Sequence, residues 1–203
     1  MSEHSRIHIR PARPDDVARV ARLLALRGIS VEEALDQAPR MIAALPVLLL
    51  ASLPADDAEP TAAEGAVGQA AEVDLAEVDL AEVDAVAQSA EADDTAAPVA
   101  LSGAFLLPGD MEGRPEHWMV SGLIVDPGAR RRGIGRALLA AVGAAVQELE
   151  PGEDLFSVVE TANHASVAAH LAAGFQEVAH VDGYAGLVFD DALLMRLPGT
   201  ADH

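Results

Sequence analysis

Polar and apolar residues alternate through Arg6-Ile7-His8-Ile9-Arg10, the period of a strand with one buried face, and Pro11 and Pro14 end it. Behind Asp15 and Asp16, either of which can cap a helix, Val17, Val20, Ala21 and Leu24 recur at helical spacing, and Gly28 closes the run. Ser30 with Glu33 reads as a capping box that opens a second helix through Ile42. Pro46 stops it, and Val47-Leu48-Leu49-Leu50-Ala51 follows as a short buried strand. Further strands are predicted at 99–107 and 117–125, the second leaving through Asp126-Pro127-Gly128. Ile134, Ala137, Leu138, Ala141, Val142, Ala145, Val146 and Leu149 then keep one helical stripe for about four turns, until Pro151-Gly152 breaks it. A strand at 154–160, a helix from His164 to Ala172 ending at Gly174, and strands at 177–181 and 192–197 complete the chain. The order β-α-α-β-β-β-α-β-α-β-β mixes hairpins with crossover helices. It predicts an α+β (mixed α/β) domain with one central mixed sheet of six to seven strands and about four helices.

One segment does not fit this pattern. Residues 54–98 are mostly Ala, Asp and Glu with Gly, Pro and Thr, and hold a five-residue repeat, Glu72-Val73-Asp74-Leu75-Ala76 and its copies. A period of five rotates the apolar pair by roughly 140° per copy on a helix. On a strand it sends alternate copies to opposite faces. Neither geometry gives a continuous apolar stripe, so the segment reads as a solvated, disordered insertion between the second and third strands of a single domain spanning 1–203.

Composition narrows the function classes. The formal charge is −20, but 54–98 carries 13 acids and no Lys or Arg, which leaves 20 acids against 13 bases elsewhere. Nothing here resembles the dominant basic face of a nucleic-acid-binding protein. The absence of cysteine removes disulfides, zinc–thiolate sites and a thiol nucleophile. The N-terminus lacks the apolar core of a signal peptide, and the longest apolar run is too short to span a bilayer. The expectation is a cytoplasmic protein, without membrane partner, that acts as a monomer or homodimer.

The chemistry concentrates at Arg130-Arg131-Arg132-Gly133-Ile134-Gly135-Arg136, where a strand passes through a loop into the amphipathic helix. Glycines allow a tight turn and close approach to the main chain. The first helical N–H groups have no internal partner and carry the positive end of the helix dipole. Together these suit a pyrophosphate. Four of the 13 basic residues fall within this stretch. A P-loop is excluded because no Gly-Lys-Ser/Thr follows, and a dinucleotide fingerprint because Leu138 stands where the third glycine belongs. On the residues alone, the phosphate site stands beside a plain solvated turn.

Val125-Asp126-Pro127, the loop, and Arg130-x-x-Gly133-x-Gly135 before a helix resemble the acyl-CoA-binding motif of the GNAT acetyltransferases. Asn163-His164-Ala165-Ser166 through Gly174-Phe175 is similar to that family's next motif, and the opening strand and helix and the terminal Leu194-Met195-Arg196-Leu197 strand are also similar. The resemblance covers nearly all the chain except 54–98. It implies that the amides of Arg132, Gly133, Ile134, Gly135 and Arg136 hold the CoA pyrophosphate, with Arg130 and Arg131 beside them. It further implies that the main chain of Leu123 and Val125 pairs with the pantetheine arm, that Asn163 bonds the same arm, and that two parallel strands splay to admit it. The implied cosubstrate is acetyl-CoA or another short acyl-CoA, with no metal. The implied acceptor is a small-molecule or peptide amine attacking directly, consistent with the missing cysteine.

The match departs where many relatives carry a Tyr to protonate the departing thiolate: here that position is His170. His170 lies two turns from Asn163 and so on the same helix side. An unperturbed His is only partly charged at neutral pH, yet its neutral ring still donates one N–H. For the general base, His117, Met119 and Ser121 are expected on one face of their strand, and His117 is the member able to accept a proton; Glu160 is a second candidate. A buried structural histidine and solvated strand ends are the alternatives. No His or Glu spacing resembles a metal site. A non-catalytic acyl-CoA-binding regulatory module, with the acidic insertion as its partner contact, is the competing function.

Overall fold

The computed structural model describes residues 7–54, 97–109 and 115–200; apart from its ends, the acidic segment with its repeat lies outside the described residues. The elements follow the order read from the sequence: β1 (His8–Pro11), α1 (Val17–Ala25), α2 (Val31–Ala44), β2 (Val47–Ser52), β3 (Ala100–Leu107), β4 (His117–Val125), α3 (Ile134–Leu149), β5 (Leu155–Glu160), α4 (His164–Ala172), β6 (Gln176–Tyr184) and β7 (Leu187–Leu197). The strands form one sheet of order β1-β2-β3-β4-β5-β7-β6. All neighbours are antiparallel except β4 and β5, which are parallel across the α3 crossover.

Each face of the sheet carries its own core. On one, Ile134, Leu138, Val142 and Val146 of α3 pack on Val47, Leu49, Trp118, Val120, Leu155 and Met195. On the other, Val20, Leu23 and Leu24 of α1 with Ala34 and Ala38 of α2 pack on Leu48, Leu50, Leu101 and Ile124. β2 is therefore buried on both sides, which is why its sequence is a continuous apolar run and not an alternation. The Trp118 indole N–H donates to Glu150 Oε2 at 2.9 Å, so this large side chain buries its ring without stranding a donor.

Asp16 caps α1 differently from the sequence expectation. Its carboxylate makes no cap bond in α1 and instead accepts from Arg10 (2.6 and 2.7 Å), the Arg13 amide (2.8 Å) and Arg19 (3.0 Å). It thereby ties β1 to the start of α1 from a fully buried position. Ser30 behaves as expected, its Oγ accepting from the Glu33 amide at 3.1 Å.

The last two strands are longer than the sequence suggested. Tyr184 pairs with Leu187 across a two-residue turn in which Ala185 (φ 52°) and Gly186 (φ 81°) both take left-handed backbone. This is the geometry of a type I′ hairpin, here built with Ala in place of the usual Asn or Asp.

Candidate active site

The site begins where the parallel pair comes apart. β4 and β5 are joined only at Trp118↔Leu155 and Met119↔Phe156, although β4 runs on to Val125 and β5 to Glu160. β4 stays paired with β3, and β5 with β7, throughout this stretch, so the sheet opens between them. A bulge accompanies the opening. Gly103 faces Gly122 and Ala104 faces Val120, which leaves Ser121 as the extra residue. The Ser102 hydroxyl donates to the Gly122 carbonyl at 2.7 Å and holds the bulge in place. A bulge shifts the alternation by one residue. That shift falls after Ser121, whose Oγ lies 3.1 Å from where a Cβ on Gly103 would stand, on the α1–α2 side with His117 and Met119. Trp118 and Val120 before the bulge and Leu123 and Val125 after it all belong to the α3 side. A cavity of about 500 Å³ occupies the opening, and its walls include Arg27, Gly122, Leu123, Ser157, Glu160, Asn163, His170 and Tyr184.

On the α3 face, the chain enters the helix through Arg130-Arg131-Arg132-Gly133. The three arginines, Gly133 and Arg136 are exposed, while Ile134 is buried and anchors the first turn. Gly133 is the N-cap, with φ 77° and open space where a Cβ would point. The first bond inside the helix runs from the Ala137 amide to the Gly133 carbonyl at 3.0 Å, so the amides of Ile134, Gly135 and Arg136 lie ahead of the helical ladder. The donor array and the cationic side chains fit a diphosphate. Gly135 has a different reason to be glycine: a Cβ there would meet Leu123 Cδ2 at 3.3 Å and Ala169 Cβ at 3.5 Å. Its smallness lets α3 pack against β4 and α4, a packing role beside the close approach to the main chain read from the sequence. The Val125 carbonyl accepts from Arg130 Nε at 3.3 Å, tying the loop back to the strand end.

Asn163 caps α4, its Oδ1 accepting from the Ser166 amide at 3.1 Å. What remains for a ligand is its side-chain NH₂. Deeper in the cavity wall, His170 is 2% exposed. Its Nδ1 lies 2.8 Å from the Ser166 carbonyl, which can only accept, so Nδ1 carries the proton of the neutral ring. Nε2 then accepts from the Ser157 hydroxyl at 3.0 Å. Burial holds the His170 pKa below its ordinary 6.5, outweighing the Ser166 bond that raises it. The imidazole is neutral at pH 7, with no N–H directed at the cavity. Its outlet there is Ser157, a residue that the sequence reading did not pick out.

The opposite face carries the other candidates. β5 alternates, so Ser157 faces α4 while Phe156, Val158 and Glu160 face the other way. Glu160 is exposed at the cavity wall. His117 stacks edge-on against Phe156, ring centroids 5.3 Å apart. Its Nδ1 meets the Pro115 carbonyl at 2.8 Å, so in the neutral ring Nε2 is the acceptor, and the Tyr184 hydroxyl donates to it at 2.7 Å. Tyr184, the chain's single tyrosine, lines the cavity at 8% exposure, carried there by the tight β6–β7 turn. Sequence reasoning missed it because nothing local marks it: 67 residues separate it from His117.

The opening thus gathers Asn163, His170, Glu160 and Leu123 directly, His117 by way of Tyr184, and sets the arginine loop beside Leu123 through Gly135. Among the described residues no group of three His, Asp or Glu could hold a metal ion, and no helix is long and apolar enough to cross a membrane.

Comparison with known proteins matches residues 59–175 to the acetyltransferase (GNAT) family, a span that contains both glycine-bearing motifs. No curated protein matches the sequence significantly. Among solved structures, the chain is similar to an acetyltransferase of the GNAT family from Streptococcus pneumoniae, with a TM-score of 0.57 and 14% identity, covering 96% of this chain and 100% of that one. It is also similar to a GNAT superfamily phosphinothricin acetyltransferase from Sinorhizobium meliloti in complex with acetyl-CoA (TM-score 0.56, 17% identity, 95% and 88% covered). NAA60 of Arabidopsis thaliana in complex with acetyl-CoA is a third (TM-score 0.58, 15% identity, 95% and 98% covered). At such identities these likenesses establish the fold.

Proposed function

The chain belongs to the GNAT acetyltransferase family, and from that premise we propose that it moves an acetyl group from acetyl-CoA to a primary amine by direct attack, without a covalent enzyme intermediate. The observation that carries the reading is the parted β4–β5 pair, with anion donors at one mouth and a Tyr–His pair at the other. Acetyl-CoA supplies the activated thioester. The amides of Ile134, Gly135 and Arg136, backed by Arg130, Arg131, Arg132 and the Gly133 turn, grip its diphosphate. The pantetheine arm takes the place of a missing strand beside Leu123 and Val125, where β4 has lost its neighbour, and the Asn163 amide donates to it. Two neighbours of the same fold are in complex with acetyl-CoA, which supports acetyl-CoA as the cosubstrate.

The amine enters from the α1–α2 face. As the C–N bond forms and the C–S bond breaks, the amine must lose a proton and the sulfur must gain one. Tyr184 accepts the amine proton while passing its own to His117 Nε2, the arrangement expected of a base and its orienting partner. Glu160 supplies negative potential on the same face and draws the ammonium form inward, and that ammonium loses one proton to solvent before the neutral amine attacks. On the sulfur side, the Ser157 hydroxyl lines the cavity with its proton committed to neutral His170, so the departing thiolate takes its proton from solvent. His170 thus fixes Ser157 and is a positioning residue. The missing cysteine is consistent with direct transfer.

An acetyl-CoA turnover screen over amine classes, read by thiol release and by mass of the product, tests the proposal. Saturable acetylation of at least one amine class is expected. Binding of acetyl-CoA with no transfer to any amine would favour the non-catalytic sensing module instead.

A further inference from the structure

Building on that reading, we infer that the acceptor is a small amine that also bears a carboxylate, an apolar amino acid being the simplest example, and that Arg27 is the residue that selects it. Arg27 follows α1, where its amide bonds the Leu24 carbonyl at 2.9 Å and the next residue, Gly28, turns the chain with φ 86°. Leu23 and Leu24, almost wholly buried, fix this corner to the core beneath it. The guanidinium reaches from there to the bulge: Nη1 would lie 3.6 Å from a Cβ at Gly122, the residue beside which the sheet opens.

Three features mark it as a binding group. First, it has no partner. Arg10 and Arg19 hold Asp16, Arg22 holds Asp126 and Arg40 holds Asp36, whereas no carboxylate among the described residues pairs with Arg27. In a chain of net charge −20, Arg27 is the arginine that lines this cavity, and it does so without an ion pair. Second, it stands at the mouth away from the diphosphate donors. Arg27 belongs to the α1–α2 connection on one face of the sheet, and the Arg130–Arg136 loop opens α3 on the other. Third, the surrounding wall suits the rest of such a molecule. Phe105, Leu107, Leu187 and Phe189 are apolar, and Tyr184 and Glu160 offer a proton acceptor and a negative charge for the amine. A guanidinium fork recognises a carboxylate through two parallel N–H···O bonds, which no amide or bare amine reproduces.

Amino acids such as leucine, methionine and phenylalanine, each assayed beside its carboxamide and its decarboxylated amine, test the inference with the full-length protein. The free acids are expected to show kcat/KM roughly 10- to 100-fold above their uncharged counterparts. Arg27→Gln should erase this preference mainly through KM, with acetyl-CoA affinity unchanged, and Arg27→Lys should keep part of it. Arg27 is exposed, so neither variant threatens the core. Equal or better transfer to the amides and amines, or a preference that survives Arg27→Gln, overturns the inference and leaves the acetyltransferase reading standing. No transfer to any amine overturns both.

Discussion

Replacing Tyr184 with Phe removes one hydroxyl and separates catalysis from stability by magnitude. The lost bond is the 2.7 Å contact with His117 Nε2 in a largely buried setting. A net hydrogen bond of this kind is worth about 1 kcal/mol. In a domain of this size that lowers Tm by about 2–4 °C, so the variant remains folded at assay temperature. The ring still fills its place against His117, centroids 6.0 Å apart, and the cavity keeps its shape. Proton transfer by a positioned side chain contributes roughly 10²- to 10⁴-fold. The variant should therefore lose about two orders of magnitude or more in kcat while acetyl-CoA affinity and KM for the acceptor change little. Steady-state kinetics by thiol release, with acetyl-CoA titration calorimetry and a thermal melt on the same preparation, provide the three readings. His117→Gln should show the same fall, and the double variant no further loss, because the two groups act as one relay. A Tyr184→Phe protein that keeps kcat within about threefold of the parent, against an expected loss of about 100-fold, refutes the relay and returns the base to Glu160.

The other predictions concern the donors, a buried carboxylate and the buried histidine. Gly133→Asp should raise the Kd for acetyl-CoA about tenfold over Gly133→Asn, measured by calorimetry. Both side chains tolerate left-handed backbone, so their difference isolates a negative charge set against the diphosphate. Asp16 has its pKa lowered to about 2 from 3.8: burial raises it, but the bonds from Arg10, Arg13 and Arg19 together lower it further. That ionised carboxylate stabilises the fold by about 2 kcal/mol above pH 4 and loses the contribution as pH falls through about 2. Asp16→Asn should accordingly cost stability in urea at pH 7, and the deficit should shrink towards pH 2. For His170 the folded pKa lies below 6.5, so the neutral ring favours folding above that value and the contribution falls away as pH drops through the folded pKa. A His170→Gln protein should lack this loss between pH 7 and 5, seen as a flatter dependence of the urea midpoint on pH.

The order of elements, both helix-opening motifs and the double burial of β2 were set by local signals. Apolar spacing at 3.6 and 2 residues, capping groups such as Ser30, and the cluster Arg130 to Gly135 act within a few residues of themselves, so they can be read along the chain. The α3 stripe from Ile134 to Val146 and its core partners follow from that spacing. What the tertiary structure alone decided is the relation between distant segments. The bulge at Ser121 exists because two strands of unequal count pair through Ser102 and Gly122, and it turns Leu123 and Val125 to the α3 side. The parting of β4 from β5, the use of Gly135 for packing against Leu123 and Ala169, and the meeting of Tyr184 with His117 likewise need partners far off in sequence. A side chain's chemistry travels with its residue type, but its partner, burial and direction belong to the contacts that folding creates.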